Sequence, residues 1–413
     1  MFRFVKLPLL LNGRNVHEGK WFRFIFIFIF ISAIIETDIY LPSFPDILHA
    51  FNTNAVMVQR ILSFNFIGVC IGSLVYGPLS DHFGRRPILM FGFALFTLTT
   101  IGCVIATSIE QLLFFRLLQG FGSAACMVVG TAIIFDLFEE EKAAKFVGDL
   151  STMVVSMLAF APLIGGWINI YWGYRGSFIF VAVLVFLSAV TCLLFLPESL
   201  PSVQRRKFTL AEMREGYAAV LSSRVFWYNT LISSLMLAAY FAFISNMSLL
   251  FVNELNVAKS VFPYFQMAIS GSFVLVSINN GRLIDKWGVN CLKNVGLVIV
   301  MLASLLFLAS PYSWLNSPYY LTLVMCVFTI GVGCSINIFI AQSMRVRSDL
   351  VGIASSLVTA IRLCIIALSI NVSSSYYDGS SDSMMRFVVG TTGLLFLIYL
   401  FHYISIKGNK KSS

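Results

Sequence analysis

The stretch Gly77-Pro78-Leu79-Ser80-Asp81-His82-Phe83-Gly84-Arg85-Arg86-Pro87 is a short charged reversal between two long apolar runs. A weaker copy follows at Gly281-Arg282-Leu283-Ile284-Asp285-Lys286-Trp287-Gly288. A shift of 204 residues lays Gly77, Leu79, Asp81 and Gly84 on Gly281, Leu283, Asp285 and Gly288, and the same shift lays Gly148 on Gly352. In each copy two glycines allow a tight reversal, the acid can cap a helix N-terminus, and the basic residues can pair with acids or helix C-termini. An ordinary basic loop has no reason to recur at one place in each half of a chain. The pattern therefore reads as an internal duplication, and the flanking runs say of what.

Those runs are apolar throughout. The chain has 413 residues, 58% of them hydrophobic and 11% charged, with a mean hydropathy of +0.88. Soluble domains carry about a quarter charged residues, whereas here charge-poor runs long enough to span roughly 30 Å of hydrocarbon recur from end to end. That excludes a soluble enzyme, and 40 Phe with 15 Tyr exclude disorder. Breaks between runs predict twelve spans, at 21–42, 56–79, 87–107, 111–136, 146–168, 176–197, 225–252, 261–281, 291–310, 318–343, 351–373 and 385–406. The Leu7 to Leu11 patch is too short for a signal peptide, so the first run is expected to be a retained helix. Phe24 to Ile31 alternates Phe and Ile, but both alternants are apolar, and a spanning helix is predicted rather than a strand. Cys70, Cys103, Cys126, Cys192, Cys326, Cys334 and Cys364 sit inside apolar runs without a C-x-x-C pair, which predicts small buried residues and no metal site.

Lysine and arginine orient the spans. With both termini cytoplasmic, 22 of 28 fall on the inner side; Arg60, Arg175, Lys259 and Arg386 fall outside, and Arg116 and Arg362 lie within spans. The net charge of +9 thus reflects topology rather than nucleic-acid binding. The longest polar segment, with Arg205-Arg206-Lys207, divides the chain into a six-span bundle at 1–197, a cytoplasmic linker at 198–224 and a second six-span bundle at 225–413. Duplicated halves of this kind place a substrate site at their interface.

With its two loop copies and its six-plus-six spans, nearly the whole chain resembles the major facilitator superfamily, whose signature in this loop is G-x-L-a-D-r-x-G-r-[K/R]. The resemblance implies an all-α fold of two pseudo-symmetric six-helix bundles, with Gly77, Asp81, Gly84, Arg85, Arg86, Gly281, Asp285 and Gly288 acting in conformational gating, together with Asp136. In span four, Arg116-Leu117-Leu118-Gln119-Gly120-Phe121-Gly122 places an arginine roughly 9 Å inside the outer boundary, where it must be paired, line a wet cavity or snorkel. This run resembles the superfamily's R-x-x-q-G-x-G motif, which implies a part for Arg116 in proton coupling. Span five carries Gly148 and then Pro162-Leu163-Ile164-Gly165-Gly166, similar to the motif of antiporters, although Met157 and Ala161 stand where glycine is expected. Its physical content is a kinkable, closely packed helix, with Pro162, Gly165 and Gly166 in gating.

Span one holds Glu36-Thr37-Asp38-Ile39-Tyr40-Leu41-Pro42. The string T-D-x-Y-L-P-x-x-P resembles the bicyclomycin-resistance (Bcr/CflA) branch of drug:proton antiporters, and Glu36 departs from that branch. Asp38 and Arg116 lie at similar depth and could meet. Residues two apart leave a helix about 200° from each other, so Glu36 and Asp38 cannot face one cavity alike. Asp38 is the expected proton carrier, and Glu36 is a second site or a hydrogen-bonded structural acid. Arg362, about 18 Å into span eleven, matches no motif; it pairs with a polar group such as Asn337 or an acid of span one, or it contacts the substrate. Tyr40, Gln119, Asn337 and Arg362 are the candidate cavity residues. Two acids and two arginines leave the cavity formally neutral, which weakens any inference of a cationic substrate.

The expected function is alternating-access export of small amphipathic compounds, drugs among them, across the bacterial inner membrane in exchange for protons, with substrate and proton competing through one acid. A dedicated siderophore or metabolite exporter is the alternative within that class, because Arg362 could receive a carboxylate, and a proton-coupled nutrient uptake symporter is the other rival. An intramembrane enzyme is disfavoured by the peripheral positions of His17, His49, His82 and His402. The expected partners are a small molecule, protons and the bilayer, with no cofactor and no nucleic acid, and the expected state is a monomer.

Overall fold

A computed structural model describes residues 20–205, 210–345 and 350–409; Arg206, Lys207, Arg347 and both chain ends, which entered the topology count, lie outside them. Among the described residues every regular element is helical. Hydrocarbon offers no hydrogen-bond partner, so a spanning segment must satisfy its own backbone, and the helix does so within one segment. In chain order the helices are α1 (Lys20–Asp38), α2 (Phe44–Ala50), α3 (Ala55–Phe83), α4 (Arg85–Ile105), α5 (Ile109–Leu137), α6 (Glu140–Phe195), α7 (Leu210–Leu221), α8 (Arg224–Leu249), α9 (Phe262–Trp287), α10 (Val289–Ala309), α11 (Tyr312–Leu315), α12 (Pro318–Met344), α13 (Val351–Tyr376) and α14 (Ser381–Asn409).

Ten of these segments are long and apolar enough to cross a membrane, and two details bring the crossings to the expected twelve. The first is α6, which reverses at Gly173, where φ is 68° and ψ is −177°. Both Phe146 and Leu193 lie at one face, against Phe26 and Arg86, while Gly165 and Asn169 reach the other, against Ile39 and Asp46. The second is α9, whose 26 residues suffice in length but carry Asn279, Asn280, Arg282, Asp285 and Lys286 near one end. The face bearing residues 198–205 and α7 is called the linker face below, and the opposite one the far face. Rings of Trp167 and Tyr171 stack beside Trp172 near the α6 reversal, as aromatic belts do at a lipid–water boundary. Exposed Phe91, Leu98, Ile105, Leu187, Leu308 and Phe401 form an apolar outer surface suited to lipid.

The linker is not merely a polar connection. Its helix α7 seats Val220 in a buried cluster with Phe226, Ala354, Leu357 and Val358. The loop copies share backbone geometry as well as sequence: Gly84 and Gly288 both take a left-handed φ, 104° and 80°, and each precedes the next helix. At the far face the helices before the linker meet those after it in a set of polar contacts. Gln59 donates to Asn246 at 2.7 Å, Asn371 donates to Ser63 at 2.8 Å, and Lys259 pairs with Asp46. A Cβ added at Gly166 would stand 2.1 Å from the Pro263 ring, so α6 and α9 approach there through glycine alone. Toward the linker face Gly148, Gly281 and Gly352 border open space. The polar contacts and the Gly166 approach join the two sets of helices at the far face, and nearer the linker face Leu74 of α3 packs against the Val220 cluster.

Candidate functional site

The core of the candidate site assembles beside α1, where α3 and α5 touch backbone to backbone. A Cβ at Gly120 would lie 2.1 Å from the Asn65 carbonyl oxygen, and one at Gly68 would lie 2.0 Å from that of Leu117. This contact brings Asn65, Glu36 and Arg116 together, about seven residues or roughly 10 Å inside the start of α5. Arg116 is 0% exposed and Glu36 1%, and their charged atoms stand 2.9 Å apart. The Asn65 amide donates to both Glu36 carboxylate oxygens at 3.2 Å. Arg116 donates further to Gln119 Oε1 at 2.5 Å, to the Tyr40 hydroxyl, and to the Glu36 and Ile61 carbonyls. Its guanidinium also lies 4.1 Å over the Tyr40 ring, which stacks on Phe178. Gln119 in turn donates to Thr100 at 2.8 Å and accepts from the Cys103 thiol. The arginine is thus neutralised inside a closed polar cluster, the condition under which a buried charge is tolerated.

This corrects the expectation that Asp38 would meet Arg116. The reason is helical phase: Glu36 and Asp38 leave α1 on different sides, and only Glu36 faces α5. Asp38 is buried, its Oδ2 has no hydrogen-bond partner, and it forms no ion pair among the described residues. It ends α1, immediately before a turn at Ile39 and Tyr40 and a short 3₁₀ segment over Leu41–Ser43. Tyr40 and Gln119, expected on an open cavity, are instead closed around Arg116. Asn337 is exposed on α12, and Arg362 is half-buried midway along α13. Neither the Asn337 nor any acidic side chain pairs with Arg362 among the described residues.

The loop motif forms a second cluster at the linker face. Arg85 pairs with Asp81 at 2.6 Å and with Asp136 at 2.9 Å. Its backbone N–H donates to Glu198 at 2.9 Å, Ser199 donates to Asp136 at 3.0 Å, and Arg86 donates to the Leu193 carbonyl. Gly77 lies in α3, one turn before Asp81. The second copy builds no such cluster: Asp285 is exposed and without an ion pair among the described residues, and Gly281 borders open space. In α6, Pro162 lies within the helix, and Gly165 presses against α1, where a Cβ would meet the Ile39 carbonyl oxygen at 1.7 Å. Asn65, Thr100, Asn246 and Asn371 had escaped the sequence reading. The signal was available, since each is a polar side chain inside an apolar span.

Known proteins share both the pattern and the fold. The family profile described as Major Facilitator Superfamily matches residues 26–369. The chain is 26% identical over 335 residues to the chloramphenicol resistance protein of Pseudomonas aeruginosa, covering 81% of this chain and 78% of that one. It is 24% identical over 350 residues to the bicyclomycin resistance protein homolog of Haemophilus influenzae, covering 83% and 87%. In structure it is similar to a bacterial homolog of the human lysosomal transporter Spinster, crystallised in an inward-facing and occupied conformation. The TM-score there is 0.70 at 15% identity, over 96% of this chain and 98% of that one.

Proposed function

The chain belongs to the Major Facilitator Superfamily, and from that premise we propose that this multi-pass membrane transporter is a proton-coupled exporter of small amphipathic compounds, antibiotics among them. Its linker face lies in the cytoplasm of a bacterium, as the lysine and arginine distribution implies. The relatives named for chloramphenicol and bicyclomycin resistance support the substrate class.

One observation carries the coupling. Of the two acids of α1, Glu36 is held by Arg116 and Asn65, whereas Asp38 is buried with an oxygen that no donor serves. Ionised in that place, the Asp38 carboxylate would lose its hydration with no compensating partner, at a cost of several kcal/mol. Protonated, it carries no such cost. The arrangement joined at the far face therefore suits the protonated acid, and release of the proton toward the cytoplasm favours a rearrangement that hydrates Asp38 again. A substrate that binds one arrangement better than the other is then moved by the same equilibrium. Arg116 and Asn65 act as the fixed frame that holds α1 through Glu36, and Asp38 as the exchangeable site.

The test is chloramphenicol uptake into everted membrane vesicles under an imposed pH gradient. Wild-type vesicles should accumulate it and lose it on addition of a protonophore, while Asp38→Asn should equilibrate without accumulating. Full proton-driven accumulation by Asp38→Asn, with loss in Glu36→Gln, would reassign the carrier to Glu36.

A further inference from the structure

Glu36 neutralises Arg116, but nothing described neutralises Arg362. It stands eleven residues, roughly 16 Å, into α13, where a guanidinium is costly unless it is paired or opens onto a wet or occupied space. The surface leading to it has a definite composition. Gly352, Ser355, Thr359 and Arg362 recur at intervals of three, four and three, and so form one stripe along α13. Gly352 borders open space at the linker face, Ser355, Thr359 and Arg362 are part-exposed, and the stripe's continuation at Ile366, Ile370 and Ser373 is buried. Small residues thus run along α13 from its linker-face end to a guanidinium that has no partner among the described residues. Beside it Leu363 is part-exposed as well, so the end of the stripe offers apolar contact next to the charge.

We propose that Arg362 is a substrate-binding residue that receives the carboxylate of an amphipathic monoanion. The proposal rests on the transporter reading above and narrows its substrate class. The guanidinium fork matches a carboxylate with two parallel hydrogen bonds. A single guanidinium balances one negative charge, which favours a monocarboxylate over a phosphate ester of higher charge.

Equilibrium binding to the purified full-length chain in detergent tests this, with 2-naphthoate and its uncharged isostere 2-naphthamide as probes, measured by calorimetry at neutral pH. A desolvated charge-assisted pair predicts that wild-type protein binds naphthoate about tenfold or more tightly than naphthamide. Arg362→Gln should bring the two affinities to within about twofold, chiefly by weakening naphthoate binding. Thr359→Glu, which keeps Arg362 but places an acid one turn away on the same stripe, should do the same by pairing with it. Equal binding of the probes by wild-type protein, binding of neither, or a tenfold preference retained by either folded variant overturns the proposal. The measurement uses no membrane and no gradient, so a failure of proton-driven export leaves it intact. Conversely, loss of the naphthoate preference leaves export of uncharged compounds standing.

Discussion

Replacing Glu36 with Gln removes one charge and changes almost no volume, yet it leaves the Arg116 guanidinium without its counter-ion at a site that water does not reach. Removing one partner of a buried pair costs about 3–5 kcal/mol. The geometry selects the lower end: glutamine retains an acceptor, and Gln119, the Tyr40 hydroxyl and two backbone carbonyls still serve the arginine. For a bundle of roughly 200 residues, about 3 kcal/mol lowers the melting temperature by about 6–12 °C. Asp38→Asn replaces a protonated acid that holds no ion pair among the described residues and should change stability by less than about 1 kcal/mol, in either direction. Arg116→Gln on the Glu36→Gln background should recover about 2 kcal/mol, because the stranded cation is gone. Thermal unfolding in detergent, followed with a thiol-reactive dye that reports exposure of the buried Cys103, Cys126 and Cys192, separates these cases. Should Glu36→Gln melt within 2 °C of wild type, or Asp38→Asn fall as far as Glu36→Gln, the assignment of Glu36 as the partner of Arg116 is wrong.

Three further outcomes are expected. A reporter active only in the periplasm should be silent when fused at Ser413 and active at Gly379, and the reverse would overturn the orientation. Asp81→Asn should reduce transport well beyond Asp285→Asn, because Asp81 holds Arg85 while its repeat counterpart is exposed and unpaired among the described residues; the stability of both variants should stay within about 1 kcal/mol of wild type. Hydrogen bonds from Ser380 hold the exposed Asp378 carboxyl down at about 2, below its ordinary 3.8. A depressed value means that any stabilisation is present above the ordinary value and is lost only as pH falls through about 2. Asp378→Asn should therefore leave the transport profile between pH 5 and 8 unchanged, and a shifted profile in vesicles would contradict this.

The sequence by itself determined the membrane class, the crossings and the duplication, because each depends on local quantities: the length of an apolar run, the charge between runs, and a glycine pattern repeated at a constant shift. It also marked Arg116, Glu36, Asp38 and Arg362 as the costly groups, since a charge inside an apolar run is visible without coordinates. It left the α6 turn short of an explanation that Gly173 supplies, and it showed nothing of the packing of α7, whose partners lie more than 130 residues away on α13. Which acid meets Arg116 was beyond it as well. Two acids two residues apart at similar depth differ only in direction, and direction acquires meaning when the close approach of α3 and α5 fixes the side on which Asn65 and Arg116 wait. That Arg362 has no partner among the described residues is likewise a tertiary fact: pairing is decided by what the neighbouring helices present at one height, and no spacing along a single chain encodes that.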